Sequence, residues 1–258
     1  MMRSPGAVQP PPAVREALAA IDRWLPGEAA TWLIRCCDDA ASTPAVLRAF
    51  PAIGRRLGRG PLPGCDRVGG YGWTVDDAGR TRLLVAASAS RDEDALAAVL
   101  EQLYRHGDAA ERRGVLRALD ALPIGERGLP LVRDALRTND ARLVAAAAGG
   151  HYAARMLPDA DLAQAVLKCL FTGVPLAAVA AIPGRVSADL ARMTADFAHE
   201  RVAAGRDVPE DAWLILRGEP EAVAGVGLPA ELDSPVPERR AAARAFFAAQ
   251  PAVSPEET

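Results

Sequence analysis

Lysine is nearly absent from the chain: of 30 basic residues only Lys168 is a lysine, and the rest are arginine. Aromatic residues make up 5% of the 258 positions, and there are three histidines and four cysteines. The basic residues form no arm or stripe, and arginines and acids are mixed along every segment to a formal net charge of −3. That balance argues against a nucleic-acid partner, which needs clustered positive charge. No apolar run approaches the roughly 18 residues that span a bilayer, so no membrane crossing is expected. The first residues, MMRSPGAVQPPPAV, have no apolar core of the kind that drives secretion. A cytoplasmic location is the expectation.

The cysteines Cys36, Cys37, Cys65 and Cys169 form no CxxC pair, and adjacent Cys36 and Cys37 point to different faces of a helix. Neither a disulfide framework nor a zinc site is indicated, and buried free thiols are the default reading. No metal and no cofactor are expected. Cys169 adjoins Lys168, but neighbours in sequence diverge on a helix, which weakens the idea of an activated thiol. The chain also lacks a nucleophile elbow, a Walker loop, an HExxH pair and a dinucleotide fingerprint. The GVGLP near Gly225 follows no strand.

Alanine and leucine fill the space that aromatic and β-branched residues leave. Alanine loses no side-chain entropy and lets helices approach closely, so the fold class is predicted to be all-α. Residues 1–12 form a proline-rich leader expected to be disordered. Residues 13–58 read as an N-terminal helical segment, with Val14, Leu18, Ile21 and Leu25 at helical spacing and a third helix that ends or kinks at Phe50-Pro51. Residues 59–72 lie in a loop rich in Gly, Pro and Arg. Residues 73–217 read as the main domain of helical hairpins. Residues 218–258 read as a strap, a terminal helix anchored by Phe246 and Phe247, and a disordered tail.

Within the main domain Asp108 and Asp140 cap helices 32 residues apart. That period, with short turns, is the spacing of helical-hairpin repeats, so an array of antiparallel hairpins resembling a degenerate HEAT- or TPR-like α-solenoid is expected. Asp161–Pro175, DLAQAVLKCLFTGVP, is apolar nearly all round except for one stripe through Asp161, Gln164, Lys168 and Thr172. Such a helix belongs at the centre of its neighbours. Lys168 there is either a paired or snorkelling cation or a functional amine with a depressed pKa.

Candidate sites follow from these placements. Arg55, Arg56, Arg59 and Arg67 in or beside the loop are positioned to meet an anion, with Tyr71 and Trp73 anchoring it. A solvated linker explains the same residues. His106 ends a helix and suits its dipole, and His151 reads as a core histidine. His199 has Asp196 and Glu200 on its own helix face, a spacing that serves either a tuned general base or an ordinary solvated surface.

The segments LGRGPL (57–62), LYRHGDAAERRGVLRAL (103–119), DALRTNDARLVAAA (134–147), VLKCLFTGVPL (166–176) and DLARMTADFAHERVAAGRDVP (189–209) resemble the EboA-domain proteins of bacteria. The resemblance implies no assigned activity. It implies a bacterial natural-product cluster that also encodes a UbiA-like prenyltransferase, a TatD-like hydrolase, a dehydroquinate-synthase-like protein and a sugar-phosphate-isomerase-like protein, with pathway enzymes of the UbiA-like and TatD-like kinds or a small precursor as partners. The resulting expectation is a non-catalytic helical scaffold or carrier that binds a metabolite or partner enzyme of a prenylated or sugar-derived pathway. The alternative is an enzyme of that pathway using Lys168 with Asp196, His199 and Glu200 in one pocket.

Overall fold

The computed structural model describes residues 9–65, 70–180, 182 and 184–251. Among them every regular element is helical, and the one extended pairing is a single antiparallel bridge between Pro61 and Thr74. The helices are α1 (Pro12–Trp24), α2 (Gly27–Asp38), α3 (Thr43–Leu57), α4 (Val75–Ser88), α5 (Glu93–His106), α6 (Ala109–Ala118), α7 (Leu129–Arg137), α8 (Ala141–Ala148), α9 (His151–Met156), α10 (Asp159–Thr172), α11 (Ala188–Ala203), α12 (Trp213–Leu216), α13 (Pro220–Gly225) and α14 (Pro237–Ala248). Their starts follow local chemistry. Side chains of Ser42, Thr74, Asp92, Asp108, Asp140 and Ser187 accept hydrogen bonds from the first-turn amides of α3, α4, α5, α6, α8 and α11, satisfying donors that the helix itself cannot.

The chain forms two compact units that part between Leu157 and Pro158. This boundary falls inside the stretch 73–217 expected as one domain, and it coincides with the end of α9 and the proline that precedes α10. The expected N-terminal segment, 13–58, is not separate: α1, α2 and α3 all pack on α4 in the first unit. The expected leader overlaps the described residues only at its end, where Pro11 is buried and α1 already begins at Pro12. The expected tail falls almost wholly outside them.

At the centre of the first unit lies α4, which buries polar and charged side chains. Ten of its 14 residues are buried, among them Asp76, Asp77, Arg80 and Thr81. Close approach explains how α3 and α6 enclose it. A Cβ at Gly79 would sit 2.6 Å from Leu57 of α3, and one at Gly114 of α6 would sit 2.5 Å from the Arg80 Cδ. Glycine at these crossings is a packing requirement rather than a backbone one. Beyond α4 stand the hairpins α5/α6 and α7/α8, joined through contact of α6 with α8. The 32-residue spacing falls on these two hairpins, while α4 meets helices on several sides.

Two expectations are corrected here. Helix α3 does not end at Phe50-Pro51 but runs through Pro51 to Leu57. A proline inside a helix costs about 3 kcal/mol, but continuing buries Ile53 and Leu57 beside Phe50, each contributing roughly 1.5–3 kcal/mol. Burial wins. Helix α10 is not enclosed all round, since Phe171 is 68% exposed and Lys168 is only partly buried. Its buried side is Leu162, Ala165, Val166, Cys169 and Leu170.

In the second unit α11 is the hub, touching α10, α12, α13 and α14. Its buried line is Leu190, Ala191, Thr194, Ala195, Ala198 and Val202. Small residues there let neighbours come close, and the bulkier Met193 and Phe197 are only partly buried. Trp213 stacks on Phe246 with centroids 4.5 Å apart, and its indole N–H donates to the Phe246 carbonyl at 3.0 Å.

Candidate functional site

A groove with a cavity volume of about 510 Å³ opens in the first unit between α5 and α7, inside the range of roughly 300–1,000 Å³ usual for small-molecule sites. Its apolar floor is made by Leu100 of α5, Leu131 of α7 and Ile124 from the connection between α6 and α7, with Ala97 and Pro130 at the edge. The helical pattern makes this surface: Ala97, Leu100 and Tyr104 share a face of α5 by their spacing. The short 3-10 turn Gly125–Gly128 carries Arg127 to one end of the groove.

Charge lines the rim. Arg105, Arg112, Arg127 and Arg137 stand against Glu101 and Asp134. Arg105 pairs with Glu101, and Arg137 with Asp134 at 3.1 Å. Arg127 reaches out of the groove to Glu93 at 2.5 Å and Asp94 at 2.6 Å. Across the middle, the Tyr104 hydroxyl donates to Asp134 at 3.1 Å and so ties α5 to α7. Burial, then the Asp134 carboxylate, pushes the Tyr104 phenol well above its ordinary value, so it stays a donor at physiological pH. The Arg112 guanidinium lies over the Tyr104 ring, 5.5 Å from its centroid.

Beneath the groove α6 is fixed by a buried charge network on its other face. Asp76 accepts from Arg80 at 2.5 Å, with both side chains fully buried. Arg113 of α6 bonds Asp77 through its Nε at 2.9 Å and Thr74 at 3.0 Å. Arg117 donates to the Tyr71 carbonyl and lies 5.5 Å from the centroid of the Trp73 ring. Desolvation raises the Asp77 pKa and lowers that of Arg117, the expected cost of placing charges away from water. Arg112 and Arg113, adjacent in sequence, therefore serve opposite faces of α6: one lines the groove, the other locks the helix in place.

A family model described as "Metabolite traffic protein EboA" matches residues 68–217, more than half of the 258. The chain belongs to the EboA family. The resemblance read from the sequence blocks is thus the family that matches, and the matched span carries both the buried network and the groove. No curated protein and no solved structure matches the chain.

The EboA match also covers the residues singled out from sequence in the second unit, which the structure distributes as follows. His199 Nε2 lies 3.3 Å from Glu231, a partner from the 3-10 helix Leu228–Asp233 rather than from its own helix. Asp196 pairs with Arg192 at 3.2 Å, and Glu200 is exposed. The Lys168 ammonium lies 5.8 Å from the centroid of the exposed Phe171 ring. Burial pushes the Cys169 thiol up to about 12, which leaves it protonated and unreactive at neutral pH.

The loop residues are likewise dispersed. Arg55 is exposed, Arg56 lies over Trp32 at 5.8 Å, and Arg59 pairs with Asp108 at 3.3 Å. Trp73 is buried against Arg117, Tyr71 offers it a carbonyl, and Arg67 lies outside the described residues. The loop ends are pinned: Leu62 donates to the Trp73 carbonyl and Val75 to that of Gly60, each at 2.9 Å. His106 is exposed at the end of α5. His151, expected in the core, is exposed too, because Asp120 holds its amide at 3.2 Å and that of Tyr152 at 2.5 Å to start α9. The groove residues went unmarked in the sequence. The signal lay in LYRHGDAAERR, where Tyr104 interrupts the charges of α5.

Among the described residues no three His, Cys, Asp or Glu side chains are grouped to hold a metal ion, and no helix is long and apolar enough to cross a membrane.

Proposed function

We propose that this EboA-family chain is a non-catalytic helical carrier that binds a small metabolite in the groove between α5 and α7. One observation carries the reading: an apolar floor of small-molecule size under an arginine rim, beside an α6 that is tied to α4 through Arg113 and Asp77. A carrier needs such a preformed cleft, and rigid support keeps the ordering cost of binding low. The family's description as metabolite traffic proteins agrees with it. The finer setting is proposed from the sequence resemblance: a bacterial natural-product pathway with a prenylated or sugar-derived precursor, a cytoplasmic location, and pathway enzymes of the UbiA-like and TatD-like kinds as partners. A hairpin array of the HEAT or TPR sort suits this role, since such arrays present grooves.

The test is co-purification. Ala97 lines the groove and is only partly buried, so Ala97→Trp fills the cleft with a side chain that can tilt toward solvent. Protein isolated from cells expressing the complete cluster, then extracted and measured by mass spectrometry, should yield a small molecule from wild type and at least about tenfold less from Ala97→Trp, the loss expected when one large side chain occupies the site. Equal recovery from both proteins refutes the groove as the carrying site.

A further inference from the structure

The charges around the groove are unevenly compensated, and the imbalance selects a ligand class. Arg105, Arg127 and Arg137 each have a carboxylate within ion-pair distance. Arg112, half-buried, has none among the described residues. Its Nε donates to the Gly107 carbonyl at 3.1 Å, and its Nη2 makes a long 3.5 Å contact with the Arg105 carbonyl. These bonds fix the guanidinium plane against the Tyr104 ring and leave Nη1 hydrogens facing no protein acceptor among the described residues. A planar, permanently charged fork held this way matches a carboxylate or phosphate. Directly beside it lies the apolar floor of Leu100, Ile124 and Leu131.

We infer that the ligand is an amphipathic anion, a carboxylate or phosphate monoester attached to an apolar body, with Arg112 seating the anionic group and the floor taking the apolar part. This rests on the carrier reading of the groove and names its specificity. Arg112 is the discriminating residue, since the other three arginines are already neutralised. The apolar floor excludes a bare inorganic anion as the tight ligand, because such an anion leaves that surface uncovered.

Three matched probes test it by calorimetry on the full chain: 4-phenylbutyrate, 4-phenylbutyl phosphate and the neutral 4-phenylbutanol. Either anion should bind at least about tenfold more tightly than the alcohol, the effect of one charge-assisted hydrogen-bonded contact. Which anion binds more tightly identifies the headgroup. Arg112→Gln should remove that preference, so that anions and alcohol bind the variant alike, and Arg112→Lys, which keeps the charge but not the fork, should retain part of it. Circular dichroism on both variants establishes that they fold. If Arg112→Gln does not fold, Arg112→Lys against wild type decides the question. Equal binding of the alcohol and the anions, or an anion preference that survives Arg112→Gln, overturns the amphipathic anion but leaves the carrier groove standing. Binding of no probe, together with undiminished metabolite recovery from Ala97→Trp, removes the groove as well.

Discussion

Arg80 is a guanidinium with no exposed surface, paired to Asp76, lying over Phe50 at 5.4 Å, and bonded to the Ala110 carbonyl at 3.3 Å. Its Nε and Nη2 have no hydrogen-bond partner among the described residues. Burying both ions costs several kcal/mol each, so the pair is a poor source of net stability but a strong constraint on how α4 can sit. Asp76→Ala strands the guanidinium and should lower stability by about 3–5 kcal/mol, measured by urea denaturation. The double variant Asp76→Leu with Arg80→Met removes both charges and should recover most of that loss. If the single variant costs under about 1 kcal/mol, the pair does not constrain the helix as argued. None of this was visible in the sequence. A hydrophobic pattern marks apolar residues as buried, whereas Asp76 and Arg80 are buried because Ala110, Arg113 and Gly114, more than 29 residues away, come to meet them.

Helix ends were far more legible, since a cap is a local matter of a side chain and an amide three residues on. Asp108 shows it: its carboxylate accepts from the Glu111 amide at 2.8 Å, and the Glu111 side chain returns a bond to the Asp108 amide. Partial burial works against this carboxylate, but the Glu111 N–H and Arg59 outweigh it and hold its pKa below the ordinary 3.8. A pKa lower in the folded than in the unfolded chain means stability that is present above that ordinary value and lost as pH falls through the lower one. Asp108→Ala should therefore cost about 0.5–2 kcal/mol at pH 7, toward the low end because the side chain is half exposed, and clearly less at pH 3. An unchanged difference at the two pH values, read from chemical denaturation, contradicts this.

Which face of a helix is covered was only half legible. The apolar run of α10 pointed to a central helix, yet Phe171 faces solvent while polar α4 is enclosed. Composition records what a helix can bury, not how many neighbours the chain supplies. The groove was illegible for a related reason: Tyr104 and Asp134 lie 30 residues apart and meet only because α5 and α7 are brought side by side.

For the whole molecule, the proposed carrier groove puts ligand binding in the first unit. The expected cluster of Lys168, Asp196, His199 and Glu200 lies in the second unit, where His199 faces Glu231 and Asp196 faces Arg192. The most direct measurement is amide and methyl chemical-shift mapping of the 27.1 kDa chain as it is titrated with a small-molecule extract of the cells that natively produce it. Binding in the groove should concentrate the shifts on α5 and α7, at Leu100, Tyr104, Leu131 and Asp134. Shifts concentrated instead on α10 and α11 around Lys168 and His199 would contradict it.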